Sequence, residues 1–159
     1  MNLGYACINS TLSVQTPKVT TNRSMIKKTF IEKGVDYAGE LSMLNVADLT
    51  TILKWNVDNG INLFRLSSEL FPWASEYKFT DLPQYKSICK LLSITGVFAK
   101  KNELRITSHP GPFNVLVSPR EHVVENTITD LRIHGEMFDM LGLSRTPFNK
   151  INIHCNGVY

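Results

Sequence analysis

Apolar residues along the chain recur in two different rhythms. Four short runs are dense in Ile, Leu, Phe or Tyr: Asn2 to Cys7, Ile61 to Leu66, Leu104 to Ser108 and Lys150 to Ile153. Runs of that length and composition read as strands covered on both faces. Between them the spacing turns helical. Leu49, Ile52, Leu53 and Asn56 fall on one face of a helix over Asp48 to Asn59, and Gly60 stands where a left-handed stop residue is expected. A second helix is predicted from near Asp81 to Lys101, with Pro83 in its first turn, Tyr85, Ile88, Leu92 and Thr95 along one stripe, and two lysines at its C-terminus. A third begins with Ser118 as cap, Pro119 at the first helical position and Glu121 three residues on, carries Val124, Ile128, Leu131 and Phe138, and closes at Gly142. The stretch Ile8 to Gly39 has no such regularity. It reads as a long loop followed by a short helix near Met25 to Lys33.

Strand and helix therefore alternate, which predicts an α/β fold of parallel β-α units. Periodicity leaves two arrangements open, a doubly wound sheet or part of a closed barrel, and both place function at the C-terminal ends of the strands. The chain has 159 residues, 43% of them hydrophobic, which suits one folded unit and excludes a disordered or collagen-like polymer. No apolar run approaches the roughly 18–20 residues of a membrane span, and Met1 to Val14 lacks the pattern of a secretory leader, so an intracellular protein is expected. Three cysteines, Cys7, Cys89 and Cys155, are far apart and match neither a disulfide framework nor a zinc knuckle. A net charge of +3 permits nucleic-acid contact without predicting it.

Chemistry is expected just beyond each strand. Those positions read Ile8-Asn9-Ser10, Ser67-Ser68-Glu69, His109-Pro110-Gly111 and His154-Cys155-Asn156. Two of the four histidines thus occupy equivalent places, and neutral imidazole is the commonest metal ligand. His122 and His134 lie inside the third helix, where a solvent-facing or core-satisfied role is expected. No G-x-S-x-G elbow, G-x-G-x-x-G turn or phosphate loop occurs. Aromatic and charged residues gather in Phe64 to Phe79, which taken alone reads as a loop packing its own rings onto the core.

At these same segments the chain resembles the UV damage endonuclease family. The matching pieces are LGYACIN (Leu3 to Asn9), TTNR (Thr20 to Arg23), ILKWNVDNGINLFRLSSELFPWAS (Ile52 to Ser75), RITSHPG (Arg105 to Gly111) with Ser118-Pro119 beyond it, and NIHCNGVY (Asn152 to Tyr159). The resemblance implies a closed (β/α)₈ TIM barrel with divalent metals, typically Mn²⁺, at its mouth. It also implies incision of UV-damaged double-stranded DNA on the 5′ side of photoproducts. It makes His109 and His154 metal ligands. Glu76 stands where the family commonly has a further histidine, and becomes a third ligand. Tyr5 and Asn9 match residues near the lesion. Pro112 and Phe113 occupy the place of a glutamine and an aromatic that probe the damaged duplex, so the wedge is kept and the amide is lost. No catalytic acid or base is assigned.

Four β-α units of about 40 residues each make half of an eight-fold barrel, which typically takes about 250 residues. Residues 1–159 are accordingly expected to be the N-terminal half of the endonuclease domain, inactive alone and prone to self-association through open sheet edges. Two rivals follow from the same residues: a TIM-barrel sugar isomerase or epimerase, and a half-barrel that binds DNA or a partner without cutting. The role of Arg65, on the second strand, stays open, a structural one being suggested because strand arginines inside barrels often pair internally.

Overall fold

The first strand, β1 (Gly4–Ala6), lies beside β2 (Leu63–Leu66), and β2 beside β3 (Arg105–Ser108), all parallel, in the order β1-β2-β3. The computed structural model describes residues 3–153. After β3 the chain returns alongside the sheet. Ser108 N donates to Lys150 O at 3.0 Å and Asn152 N donates to Ser108 O at 2.8 Å, with a parallel bridge between Ser108 and Ile151. The fourth expected strand is thus present as one bridge at the far edge.

Four helices complete the described chain: α1 (Ser10–Ser13), α2 (Lys27–Asp58), α3 (Tyr85–Lys101) and α4 (Glu121–Met140). Their apolar faces meet one side of the sheet. Register decides which side. Tyr5, Phe64 and Ile106 stand abreast and, with Leu66 and Ser108, face the helices, while Gly4, Ala6, Leu63, Arg65, Arg105 and Thr107 fall on the other face. The core forms where Phe64, Leu66 and Ile106 meet Leu49, Ile52 and Leu53 of α2, Ile88 and Leu92 of α3, and Met137 and Phe138 of α4. Each such side chain contributes about 1.5–3 kcal/mol on burial. Within the layer, a hydroxyl–hydroxyl bond of 2.6 Å between Thr50 and Thr95 joins α2 to α3.

The expected stops hold, with Gly60 at φ +68° and Gly142 at φ +63°. Three boundaries differ. The loop expected from Ile8 reaches only to Ile26, and the short helix expected near Met25 to Lys33 is present as the first part of α2, up to a break at Gly34 (φ +65°); beyond the break the helix expected from Asp48 already runs. The buried face of α2 includes Ser42, Asn45 and Asn56 as well as apolar residues, so hydropathy alone hid its length. The third crossover helix starts at Glu121, because Ser118 caps a tight turn, accepting from Arg120 N at 3.2 Å, rather than the helix itself. Likewise Pro83 precedes α3, whose first residue is Tyr85.

No helix among the described residues is long and apolar enough to cross a membrane.

Candidate active site at the strand ends

Three loops leave the C-terminal ends of β1, β2 and β3, and α2 ties the first two together. Asn45, fully buried, accepts from Arg23 N at 3.0 Å and donates to Arg23 O at 2.9 Å and to Glu69 O at 3.0 Å. Asp48 accepts from Thr20 N at 2.8 Å and pairs with Arg23 at 2.7 Å, while Arg23 also donates to Thr20 O and Lys18 O. The TTNR stretch is thereby strapped to α2. Its polar residues satisfy buried backbone that no strand or helix pairs.

Asn9 caps α1, accepting from Leu12 N at 2.9 Å, and its amide donates to Tyr5 Oη at 2.8 Å. Tyr5 in turn donates to Asn56 at 2.6 Å and packs edge-on against Phe64. Burial raises the Tyr5 pKa, with the bonds to Asn9 and Asn56 opposing that shift, so the phenol is neutral and serves as a strut. Both side chains point into the layer between β1 and α2. These bonds hold the loop after β1 against α2.

After β2 the chain makes three short 3₁₀ turns, Ser68–Leu70, Ala74–Glu76 and Phe79–Asp81. The aromatics fold inward, as expected of a loop that packs its own rings. Phe71 and Phe79 meet at 4.4 Å, and Trp73 stacks on Phe30 at 5.5 Å while its Nε1 donates to Met25 O at 2.9 Å. Trp73 holds a left-handed backbone (φ +59°), a conformation that a bulky residue adopts only when its surroundings impose it. Its ring contacts do so, and they aim the next turn, which carries Glu76 on the surface.

Tyr77 closes this loop. It donates to Pro72 O at 2.8 Å, and burial pushes its pKa up to about 12, a bond with Ser42 partly opposing. The phenol ionises more readily in the unfolded chain than in the folded one. Stability is therefore full below about pH 10, the ordinary tyrosine value, and falls as pH rises toward 12. Denaturant midpoints are expected to hold up to about pH 10 and to drop between about pH 10 and 12, less so in Tyr77→Phe; parallel curves for the two proteins would contradict this placement.

His109 ends β3. Its Nδ1 lies 2.7 Å from the carbonyl of Asn152, which can only accept, so Nδ1 is the donor in this bond. A backbone carbonyl on the far nitrogen is how metal-ligating imidazoles are oriented. Behind it the strand end is clamped: Ser108 Oγ hydrogen-bonds His134 Nδ1, His134 Nε2 lies 3.9 Å from Asp130, and Asp130 accepts from Asn114 at 2.7 Å. Burial lowers the His134 pKa, Asp130 opposes and His109 adds to the lowering, which leaves a neutral ring. The series reads Ser-His-Asp, yet Ser108 has no exposed surface and its hydroxyl faces the helices, so it performs no nucleophilic chemistry. It anchors His109.

The next turn is held from below. Asn114 also donates to Gly111 O at 3.1 Å, and Val115 N donates to Thr127 at 2.9 Å. Pro112 and Phe113 form the tip of this anchored turn, with Phe113 89% exposed.

The imidazole of His109 fits a divalent cation in type. No group of three His, Cys, Asp or Glu able to share a metal occurs among the described residues, and His154 lies outside them. The pattern along the third helix does not reveal that His134 belongs to this region. Its helical neighbours give no sign of a partner 26 residues earlier.

The family model described as UV-endonuclease UvdE matches residues 1–159. A UV DNA damage endonuclease from Clostridium perfringens is 34% identical over 159 residues, covering 100% of this chain and 36% of its own. A UV-damage endonuclease from Schizosaccharomyces pombe is 34% identical over 160 residues, covering 99% of this chain and 26% of its own. The crystal structure of SacUVDE superposes with a TM-score of 0.82 at 32% identity, covering 97% of this chain and 49% of that one. The chain thus spans half or less of the length of these matches.

Proposed function

The chain belongs to the UV-endonuclease UvdE family, and from that premise we propose that a protein of the relatives' length containing it cuts the backbone of UV-damaged duplex DNA on the 5′ side of photoproducts. The observation that carries this reading is the pairing of one oriented imidazole with one exposed ring on the same β3–α4 connection. His109, held by the Asn152 carbonyl, and Phe113, at the tip of a turn pinned to α4, stand four residues apart.

His109, His154 and Glu76 would hold the cation, Mn²⁺ being our assignment. When bound, such an ion supplies charge stabilisation and an acidified water for phosphodiester hydrolysis. The chain's own residues do the rest. Water attacks phosphorus, the P–O3′ bond breaks, and a 3′-hydroxyl and a 5′-phosphate result. His134 and Ser108 fix the strand end that aims His109. Phe113 enters the space left by bases that a photoproduct has unstacked, and Pro112 stiffens the approach. Lacking an amide at position 112, the turn reads distortion rather than hydrogen-bonding pattern. Tyr5 and Asn9 keep the loop after β1 in place.

Nicking of irradiated supercoiled plasmid by a protein of the relatives' length tests this. Nicks are expected only after irradiation, lost on chelation and restored by Mn²⁺; equal cutting of unirradiated plasmid would overturn the reading. The 159 residues alone are expected to leave irradiated plasmid intact, since the ligand set is completed elsewhere.

A further inference from the structure

The turn that carries Phe113 closes on itself and is then tied to one face of α4. Gly111 O accepts from Asn114 N at 3.2 Å, which makes Gly111 to Asn114 a tight turn with Pro112 and Phe113 at its central positions. Proline presets the backbone at the first of these, and Phe113 projects from the second. Below the turn, the Asn114 amide uses both its protons: one meets Gly111 O at 3.1 Å and the other Asp130 Oδ2 at 2.7 Å. One residue on, Val115 N donates to Thr127 at 2.9 Å, and the buried Thr127 hydroxyl gives its own proton to Val123 O at 2.7 Å. Thr127 and Asp130, three residues apart, share one face of the helix. Among the described residues no Lys or Arg forms an ion pair with Asp130. Its other oxygen lies 3.9 Å from His134 Nε2, too long for a hydrogen bond, so the charge-assisted bond from Asn114 is its strong one.

Closure and placement are separate here. The bond from Asn114 N to Gly111 O is local and closes the turn without help from α4. The bonds to Asp130 and Thr127 add nothing to that closure; they fix how the turn stands on the helix, and so the direction and reach of the ring. We propose that Asp130, aided by Thr127, is the positioning residue that aims Phe113 at damaged duplex DNA, and that it thereby sets the preference for damaged over intact duplex. The inference rests on the reading of Phe113 as the residue that enters the duplex. A photoproduct leaves a gap for a ring held in one direction, whereas an intact stack leaves none. A ring already placed enters without first being ordered; once the turn is loosened, that ordering becomes a cost of binding damaged DNA alone. Intact duplex, held through its phosphates, is indifferent to it.

Binding is measured by fluorescence anisotropy on one labelled duplex, with and without a single cyclobutane dimer, using a protein of the relatives' length in chelator so that nothing is cut. Asp130→Leu, which removes the acceptor, is expected to weaken binding of the dimer-bearing duplex at least about fivefold and of the intact duplex by less than about twofold. Asp130→Asn, whose amide oxygen still accepts from Asn114, should stay within about twofold of the wild type on both. Asn114→Ala removes the same bond from the turn's side, so it should reproduce Asp130→Leu, and the two together should lose no more than either alone. It leaves α4 intact and carries the test by itself where Asp130→Leu does not fold. In a Phe113→Ala background neither change should weaken binding further, because the ring they place is gone. Losses equal on the two duplexes would overturn the proposal. So would no loss in Asn114→Ala, the loss of Asp130→Leu repeated in Asp130→Asn, or a further loss in the Phe113→Ala background. An unchanged affinity of Phe113→Ala for the dimer-bearing duplex would overturn the reading of Phe113 itself, and this inference with it.

Discussion

Gly96→Ala should destabilise the chain by about 2 kcal/mol or more, although the same exchange in an open helix is stabilising. Gly96 lies in α3 where the end of α4 crosses it. A Cβ at that position would stand 1.7 Å from the carbonyl oxygen of Leu141 and 2.7 Å from its carbon. Both atoms are backbone, fixed by the bond from Leu141 N to Met137 O and by the left-handed turn at Gly142, whose carbonyl accepts from Lys100. The helices must therefore separate, which loosens contacts of Leu92, Ala99 and Met137. The intrinsic gain of alanine over glycine, about 0.5–1 kcal/mol, does not offset that. Gly135, in α4, is the control, because a methyl group added there would meet no atom within 4 Å. Gly135→Ala is expected to raise the melting temperature by about 2–4 °C and Gly96→Ala to lower it by twice that or more. Equal effects of the two would mean that α3 and α4 do not cross at Gly96.

The other large effect is expected at His109. In a protein of the relatives' length, His109→Ala should cut incision of irradiated DNA at least about 10²-fold, the scale of losing a group that orients or binds a metal. Folding should change by only about 1 kcal/mol, because the ring is half-buried and its bond to Asn152 O is an ordinary one. Loss of rate without loss of structure separates a ligand from a packing residue. His134→Phe is the informative partner. It keeps volume in the core but leaves the Ser108 hydroxyl unpaired, so a smaller fall in rate should come with a measurable fall in stability. Damaged-duplex affinity should be nearly unchanged by His109→Ala and reduced by Phe113→Ala.

Much of this fold is legible in the order of residues alone. The strands β2 and β3, the helix α3 and the left-handed glycines at 60 and 142 follow from period and from backbone freedom. His109 follows from its place after a strand. What escapes such a reading is written in polar residues. The part of α2 ahead of Asp48 buries Ser42 and Asn45, which a hydropathy pattern scores as exposed, and the break at Gly34 splits the remaining period. Ser118 has the chemistry of a helix cap and uses it on a turn just ahead of the helix. His134 joins the site through Ser108, a contact that local sequence cannot encode. Resemblance places Tyr5 and Asn9 near the lesion, and the hydrogen bonds that join them to each other and to Asn56 are not legible in the sequence.

If His109 stands at a mouth built to cut beside a photoproduct, an end-labelled duplex carrying one cyclobutane dimer tests it most directly. The duplex is incubated with Mn²⁺ and with the wild-type or His109→Ala protein of the relatives' length. One cut immediately 5′ to the dimer, ending in a 3′-hydroxyl, is predicted for the wild type and is lost in the variant at equal thermal stability. A cut of the same position and rate in both proteins would contradict it.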